Sequence, residues 1–109
     1  MEYEILETQD YIIFEKLFQE SGLEFNLEKN SLHPWGFIKA FCCKDVDGNI
    51  IAGSSITYRK GKYILNDIAV LEEFRSMNIG VNLLSVTEKE IKKLGGKYIY
   101  ITAKAPDFF

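Results

Sequence analysis

Four residues in the stretch EEFRSMNIGVNLL, residues 72–84, have types and spacing suited to holding an anion: Arg75, Ser76, Asn78 and Gly80. Arg75 brings a fixed positive charge, and Ser76 a small side chain with a hydroxyl donor. Asn78 tolerates a positive φ better than most residues, and Gly80 lacks the Cβ that would keep a bulky anion from the backbone. A strongly apolar helical pattern follows at once. The first four N–H groups of such a helix lack an intrahelical acceptor, and its N-terminus carries about half a positive charge. If the amides of the preceding loop also turn inward, the two together form a nest for a phosphate or pyrophosphate. A plain strand-to-helix turn with a favourable cap would read the same way from this loop alone.

Other phosphate loops do not fit. GxxxxGK[ST] and GxGxxG are absent, and Gly95-Gly96-Lys97 follows a helix, where it places no amides at a helix N-terminus.

The elements around the loop are readable. Residues 3–6 form a short strand, and Thr8 or Asp10 caps a helix with Ile13, Phe14, Leu17 and Phe18 on its apolar face. Ser21-Gly22 ends that helix, and residues 23–36 are irregular, with Pro34 opposing helix. Strands are expected over 37–44 and 50–58, joined by DVDGN, in which Gly48 supplies a positive φ. A second turn around Gly61 leads to YILNDIAV, residues 63–70, apolar on both faces except at Asn66 and Asp67 and therefore central. The helix after the loop buries Gly80, Leu83, Leu84, Thr87, Ile91 and Leu94, exposes Glu88, Lys89, Glu90 and Lys93, and stops at Gly95-Gly96. Residues 97–104 return as a strand. The fold class is α/β: an antiparallel N-terminal meander, then a parallel βαβ crossover linking strands 63–70 and 97–104.

Composition narrows the partners. The 109 residues are read as one domain, residues 1–109, able to bury roughly 65% of the surface exposed when unfolded. Net charge is −3 with no block of Lys or Arg, which argues against nucleic acid or an anionic membrane as partner. No run reaches the ~18 apolar residues of a membrane span. The N-terminus MEYEILETQD has no basic and then apolar leader, so a cytoplasmic protein is expected. The adjacent Cys42 and Cys43 point to opposite faces of a strand and read as buried apolar cysteines; no metal site is expected.

The stretch NDIAVLEEFRSMNIGVNLL resembles the core of the Gcn5-related N-acetyltransferases (GNAT). Their signature is a strand ending in apolar-x-Val, then an Arg/Gln-x-x-Gly-x-Gly/Ala loop opening a helix with Leu-Leu in its first turns. Ile68-Ala69-Val70 matches the strand end, Arg75 the basic position, Gly80 the second glycine and Leu83-Leu84 the helix; Asn78 replaces the first glycine. The resemblance implies acetyl-CoA as cosubstrate. Its pyrophosphate would rest on the amides of Ser76, Met77, Asn78, Ile79, Gly80 and Val81, beside Arg75. Its pantetheine arm would pair with the backbone of Ile68, Ala69 and Val70.

Acetyl transfer to an amine needs a proton acceptor for the ammonium, donors for the oxyanion and a proton for the thiolate. Asp67 is the candidate base; it also reads as a carboxylate satisfied by neighbouring loop amides. Glu72 and Glu73 are expected to face water, and His33 to be a surface or packing residue. Trp35, Phe25 and Tyr58 are candidates for an acceptor pocket or for core. Family members usually continue past APDFF into a helix with a thiolate-protonating Tyr and two further strands, so a C-terminally shortened domain is expected, with a free edge that a homodimer could cover. The expected function is N-acetyl transfer from acetyl-CoA to a primary amine of a small molecule or peptide. The alternatives are a non-catalytic CoA-binding or interaction module, and a small α/β domain without nucleotide.

Overall fold

The computed structural model describes residues 2–20, 27, 31–97 and 100–101. Strand β1 is Tyr3–Thr8, helix α1 Ile13–Glu20, strand β2 Phe37–Asp45, strand β3 Ile50–Arg59 and strand β4 Lys62–Val70. A single 3-10 turn, Glu72–Phe74, leads to helix α2, Ile79–Lys93, and strand β5 is Tyr100–Ile101. The strands lie side by side in sequence order, β1-β2-β3-β4-β5.

The first four strands pair antiparallel, as the alternation and the two turns require. Lys60 and Gly61 both take positive φ, +51° and +77°, the combination a two-residue hairpin demands because it matches strand twist. At the other hairpin Asp45 Oδ1 accepts from the amides of Asp47 and Asn49. Tyr100 and Ile101 pair parallel with Ile64 and Leu65. The expected strand over 97–104 starts later than its sequence suggests, since Lys97 lies in a bend; residues 98–99 and 102–104 lie outside the described residues.

The two helices cover opposite faces of the sheet. A Cβ on Gly53 of β3 would come within 3.1–3.3 Å of Leu17, Ile13 and Phe14, so α1 rests on that face. The next residue, Ser54, turns its hydroxyl to Thr87 of α2 at 2.7 Å, and consecutive strand residues point to opposite sides. Phe14 and Leu17 are sealed under α1, Ile79, Leu83 and Ile91 under α2. Each such side chain contributes about 1.5–3 kcal/mol of transfer free energy. Cys42 and Cys43 are free and buried.

Helix α2 ends as its glycines require. Gly95 takes φ +104°, its N–H reaches Lys92 O, and the N–H of Gly96 reaches Ile91 O at 2.9 Å, which closes a Schellman cap. Two helix residues, Glu88 and Glu90, depart from the expected exposed face. Glu90 is half-buried because Lys39 of β2 reaches it at 3.0 Å while holding Glu7 of β1 at 2.9 Å.

The ladder between β3 and β4 has one register shift. Ser55 pairs with Asp67 and Ile56 with Leu65, leaving Asn66 as an extra residue in β4. Such a bulge bends its strand and sharpens the local twist.

Candidate functional site

The loop between β4 and α2 is built from backbone of alternating hand. Arg75 is extended, at φ −70° and ψ 157°. Ser76 then takes φ +73°, Met77 returns to negative φ, Asn78 takes φ +62°, and the helix starts at Ile79. Alternation of this kind turns successive N–H groups toward one side and forms an anion nest. A left-handed conformation costs a non-glycine residue roughly 1–2 kcal/mol, and two of them stand here within three positions.

Their amides are unclaimed. Arg75 N–H donates to Glu72 O, and the next amide with a partner is that of Asn82, which donates to Asn78 O at 3.0 Å. Between these, the N–H groups of Ser76, Met77, Asn78, Ile79, Gly80 and Val81 find no acceptor among the described residues, and the Asn78 side chain makes no cap. Ser76, Met77, Asn78 and Val81 are exposed, while Ile79 and Gly80 anchor the first helical turn inside.

The end of β4 faces the same region. Leu71 N–H donates to Ile51 O of β3. Peptide groups in a strand alternate in direction, so the N–H and C=O of Val70 and of Ile68 point away from β3. Arg75 confirms that direction, because its Nε donates to Val70 O at 3.1 Å.

At the bulge a carboxylate gathers hydroxyls. Asp67 Oδ2 accepts from Ser55 Oγ at 2.6 Å, Tyr11 OH at 2.7 Å and Asn66 Nδ2 at 2.9 Å. Its satisfaction comes from side chains, which corrects the expectation of loop amides. Burial, and then the charge and hydrogen bond of Asp67, push the Tyr11 hydroxyl well above the ordinary tyrosine range, so it stays protonated and donates. The Tyr11 ring is wedged between Phe14, at 4.9 Å, and Phe37, at 5.7 Å edge-on.

Residues 3–108 match the family model for the acetyltransferase (GNAT) family. The chain belongs to the GNAT family. Among solved structures it is similar to a Pyrococcus furiosus protein assigned as an acetyl transferase, at 24% identity and TM-score 0.73, covering 96% of this chain and 85% of that one. An aminoglycoside acetyltransferase from an uncultured soil metagenomic sample, solved with sisomicin, gives 18% identity and TM-score 0.69, covering 96% and 80%. A ribosomal-protein-alanine N-acetyltransferase from Brucella melitensis gives 16% and 0.70, covering 95% and 82%. At these identities the likeness is one of fold. No curated protein matches the sequence.

Within the GNAT fold the expected loop residues come together: 76–81 form one run of amides, and Arg75 ties that run to Val70. Asp67 stands apart from the loop, on the bulge. Glu72 and Glu73 are exposed as expected. His33 is exposed and stacked on Phe37 at 5.1 Å, a packing role. Trp35 and Tyr58 are also exposed, Trp35 beneath the Arg59 guanidinium; Phe25 lies outside the described residues. Sequence reasoning missed Tyr11 and Ser55. Tyr11 sits just before the periodic part of α1, and Ser55 resembles any small strand residue; only the pairing of Ser55 with Asp67 reveals them.

Proposed function

We propose that this GNAT-family protein binds acetyl-CoA and transfers its acetyl group to a primary amine of a small molecule or peptide. The observation that carries the reading is the run of unclaimed amides from Ser76 to Val81, with the sign of φ alternating from Arg75 to Ile79. Those amides and the α2 N-terminus would hold the pyrophosphate, as helix N-termini hold phosphates generally. The outward peptide groups of Ile68 and Val70 would receive the amide-bearing pantetheine arm in the manner of an added strand, with Ala69 between them pairing to β3.

In the reaction the ammonium gives one proton to Asp67, directly or through a water, and exposes its lone pair. The nitrogen forms a C–N bond to the thioester carbonyl, the C–S bond breaks, and the nitrogen's second proton ends on the sulfur. The Val70 N–H is the candidate donor to the carbonyl oxygen. Holding both reactants in one geometry supplies much of the acceleration. The buried, firmly protonated Tyr11 is bound to a carboxylate and is unsuited to protonating the thiolate. A second copy covering the edge at β5 remains part of the proposal, checked by sedimentation.

Titration calorimetry with CoA tests the binding step. Heat and a thermal shift are expected; neither appearing at millimolar CoA would overturn the assignment. Thiol release from acetyl-CoA across sisomicin, spermidine and an alanine-terminated peptide then tests transfer. Binding without release from any amine would favour a CoA-binding module.

A further inference from the structure

Tyr11 and Asp67 lie 56 positions apart in the sequence and meet through one short hydrogen bond. The meeting is prepared locally. Thr8 Oγ1 accepts from the Asp10 amide, Asp10 Oδ1 accepts from the Ile12 amide, and Tyr11 O accepts from the Phe14 amide. These bonds fix the turn that carries Tyr11, and Phe14 and Phe37 fix its ring, which is only 5% exposed. Ser55 approaches from β3 and Asn66 from the bulge itself.

The three donors converge on the same oxygen. Oδ2 carries all of them, whereas Oδ1 accepts from no described residue, and Asp67 as a whole is half-buried. A carboxylate held in this way cannot exchange its oxygens without breaking three hydrogen bonds at once, two of them to half-buried or buried hydroxyls.

We infer that Tyr11, assisted by Ser55, is a positioning residue for acyl transfer, holding Asp67 so that Oδ1 alone is presented to the acceptor ammonium. The inference rests on the reading of Asp67 as proton acceptor. In the step, an N–H bond of the ammonium breaks and an O–H bond forms at Oδ1; the carboxylate becomes a neutral acid and later returns its proton to water. The charged and titratable groups facing this centre are Tyr11 from the turn before α1 and Arg59 from β3, whose charge acts on Tyr11. Arg59 itself is tied to Trp35 O at 2.9 Å, and His33 is separated from the centre by Phe37.

Tyr11→Phe keeps the ring and removes the hydroxyl; Ser55→Ala removes the second donor from another element. Removing a donor from Oδ2 frees the carboxylate to rotate away from the geometry the transfer needs. In the full chain, kcat for the amine turned over fastest is expected to fall about tenfold in Tyr11→Phe, and further in the double variant, while KM for acetyl-CoA stays unchanged. An unchanged kcat in both single variants overturns the inference, as does a fall in kcat that comes with an equal rise in KM for acetyl-CoA. Calorimetry with CoA separates the failures: wild type that binds no CoA defeats the acetyltransferase reading, whereas normal CoA binding with an unchanged kcat in both variants defeats only the role of Tyr11. Should Tyr11→Phe fail to fold, Ser55→Ala alone decides.

Discussion

The Nε of Arg75 donates to the main-chain oxygen of Val70 at 3.1 Å, so the first side chain of the loop is fastened to the strand that precedes it. Arg75 thereby combines a charge with a geometric role. Arg75→Ala is expected to weaken CoA binding about ten- to a hundredfold, in line with the roughly 1.5–3 kcal/mol of a charge-assisted hydrogen bond. Arg75→Lys should recover only part of the loss, because an ammonium lacks the planar fork. Equal affinity for all three proteins in calorimetry would remove Arg75 from the site.

Asn78 stands at φ +62°, where the family pattern has a glycine. Asn78→Gly is expected to leave CoA binding intact and stability within about half a kcal/mol. Asn78→Val should lower stability by roughly 1–2 kcal/mol and weaken CoA binding, since a β-branched residue resists this conformation. Urea midpoints and CoA titrations of the two variants check both statements; a valine variant that binds normally would detach the backbone conformation from the ligand.

Alkaline pH should unfold the protein earlier than neutral pH. Burial pushes the Cys43 thiol up to about 11, aided by Cys42 and Asp45, and burial raises Cys42 as well. Lys39 is raised by its hydrogen bonds to Glu7 and then Glu90. Each group has a folded pKa above its unfolded one, so its contribution is complete below the unfolded value and fades as pH climbs through the folded value. Unfolded thiols titrate near about 8.5 and lysines near about 10.4. The urea midpoint should therefore be level to about pH 8.5 and fall between about 9 and 11. Cys43→Ala should cost about 1 kcal/mol at pH 7 yet show a shallower alkaline decline. An identical decline would assign the effect elsewhere.

Thr57 Oγ1 is buried without a hydrogen-bond partner among the described residues. Thr57→Val removes an unsatisfied hydroxyl at nearly constant shape, and an increase in stability of about 1 kcal/mol is expected. Thermal melts of the two proteins decide; a lower Tm would mean that the hydroxyl has a partner in solution, such as a bound water.

The sequence carried most of the scaffold because most strand boundaries coincide with a local signal. Lys60-Gly61 and Asp47-Gly48 mark the hairpins, Gly95-Gly96 the end of α2, and the stripe through Leu83, Thr87 and Ile91 its buried face. The loop was legible for the same reason, since positive φ at Asn78 follows from residue type. Positive φ at Ser76 does not, because serine gives no such signal. The carboxylate cluster was out of reach. It depends on which residue of β4 faces Ser55, and that depends on where the bulge falls among residues 64–67, which side-chain types do not dictate. The expected start of the last strand missed for a smaller reason: Lys97 favours no conformation strongly, and the cap at Gly96 carries the chain through a bend first.

Asn66 is a supernumerary residue, and that makes the irregularity of β4 separable from everything else in the sheet. Excising Asn66 alone would let Leu65 and Asp67 follow one another as ordinary neighbours opposite Ile56 and Ser55, with every other side chain keeping the face it has now. The sheet would lose its kink without losing its hydrophobic pattern. Excision would leave the strand pairing in place and take away one of the three donors on Asp67 Oδ2, so the sheet and the carboxylate cluster can be varied apart by one amino acid.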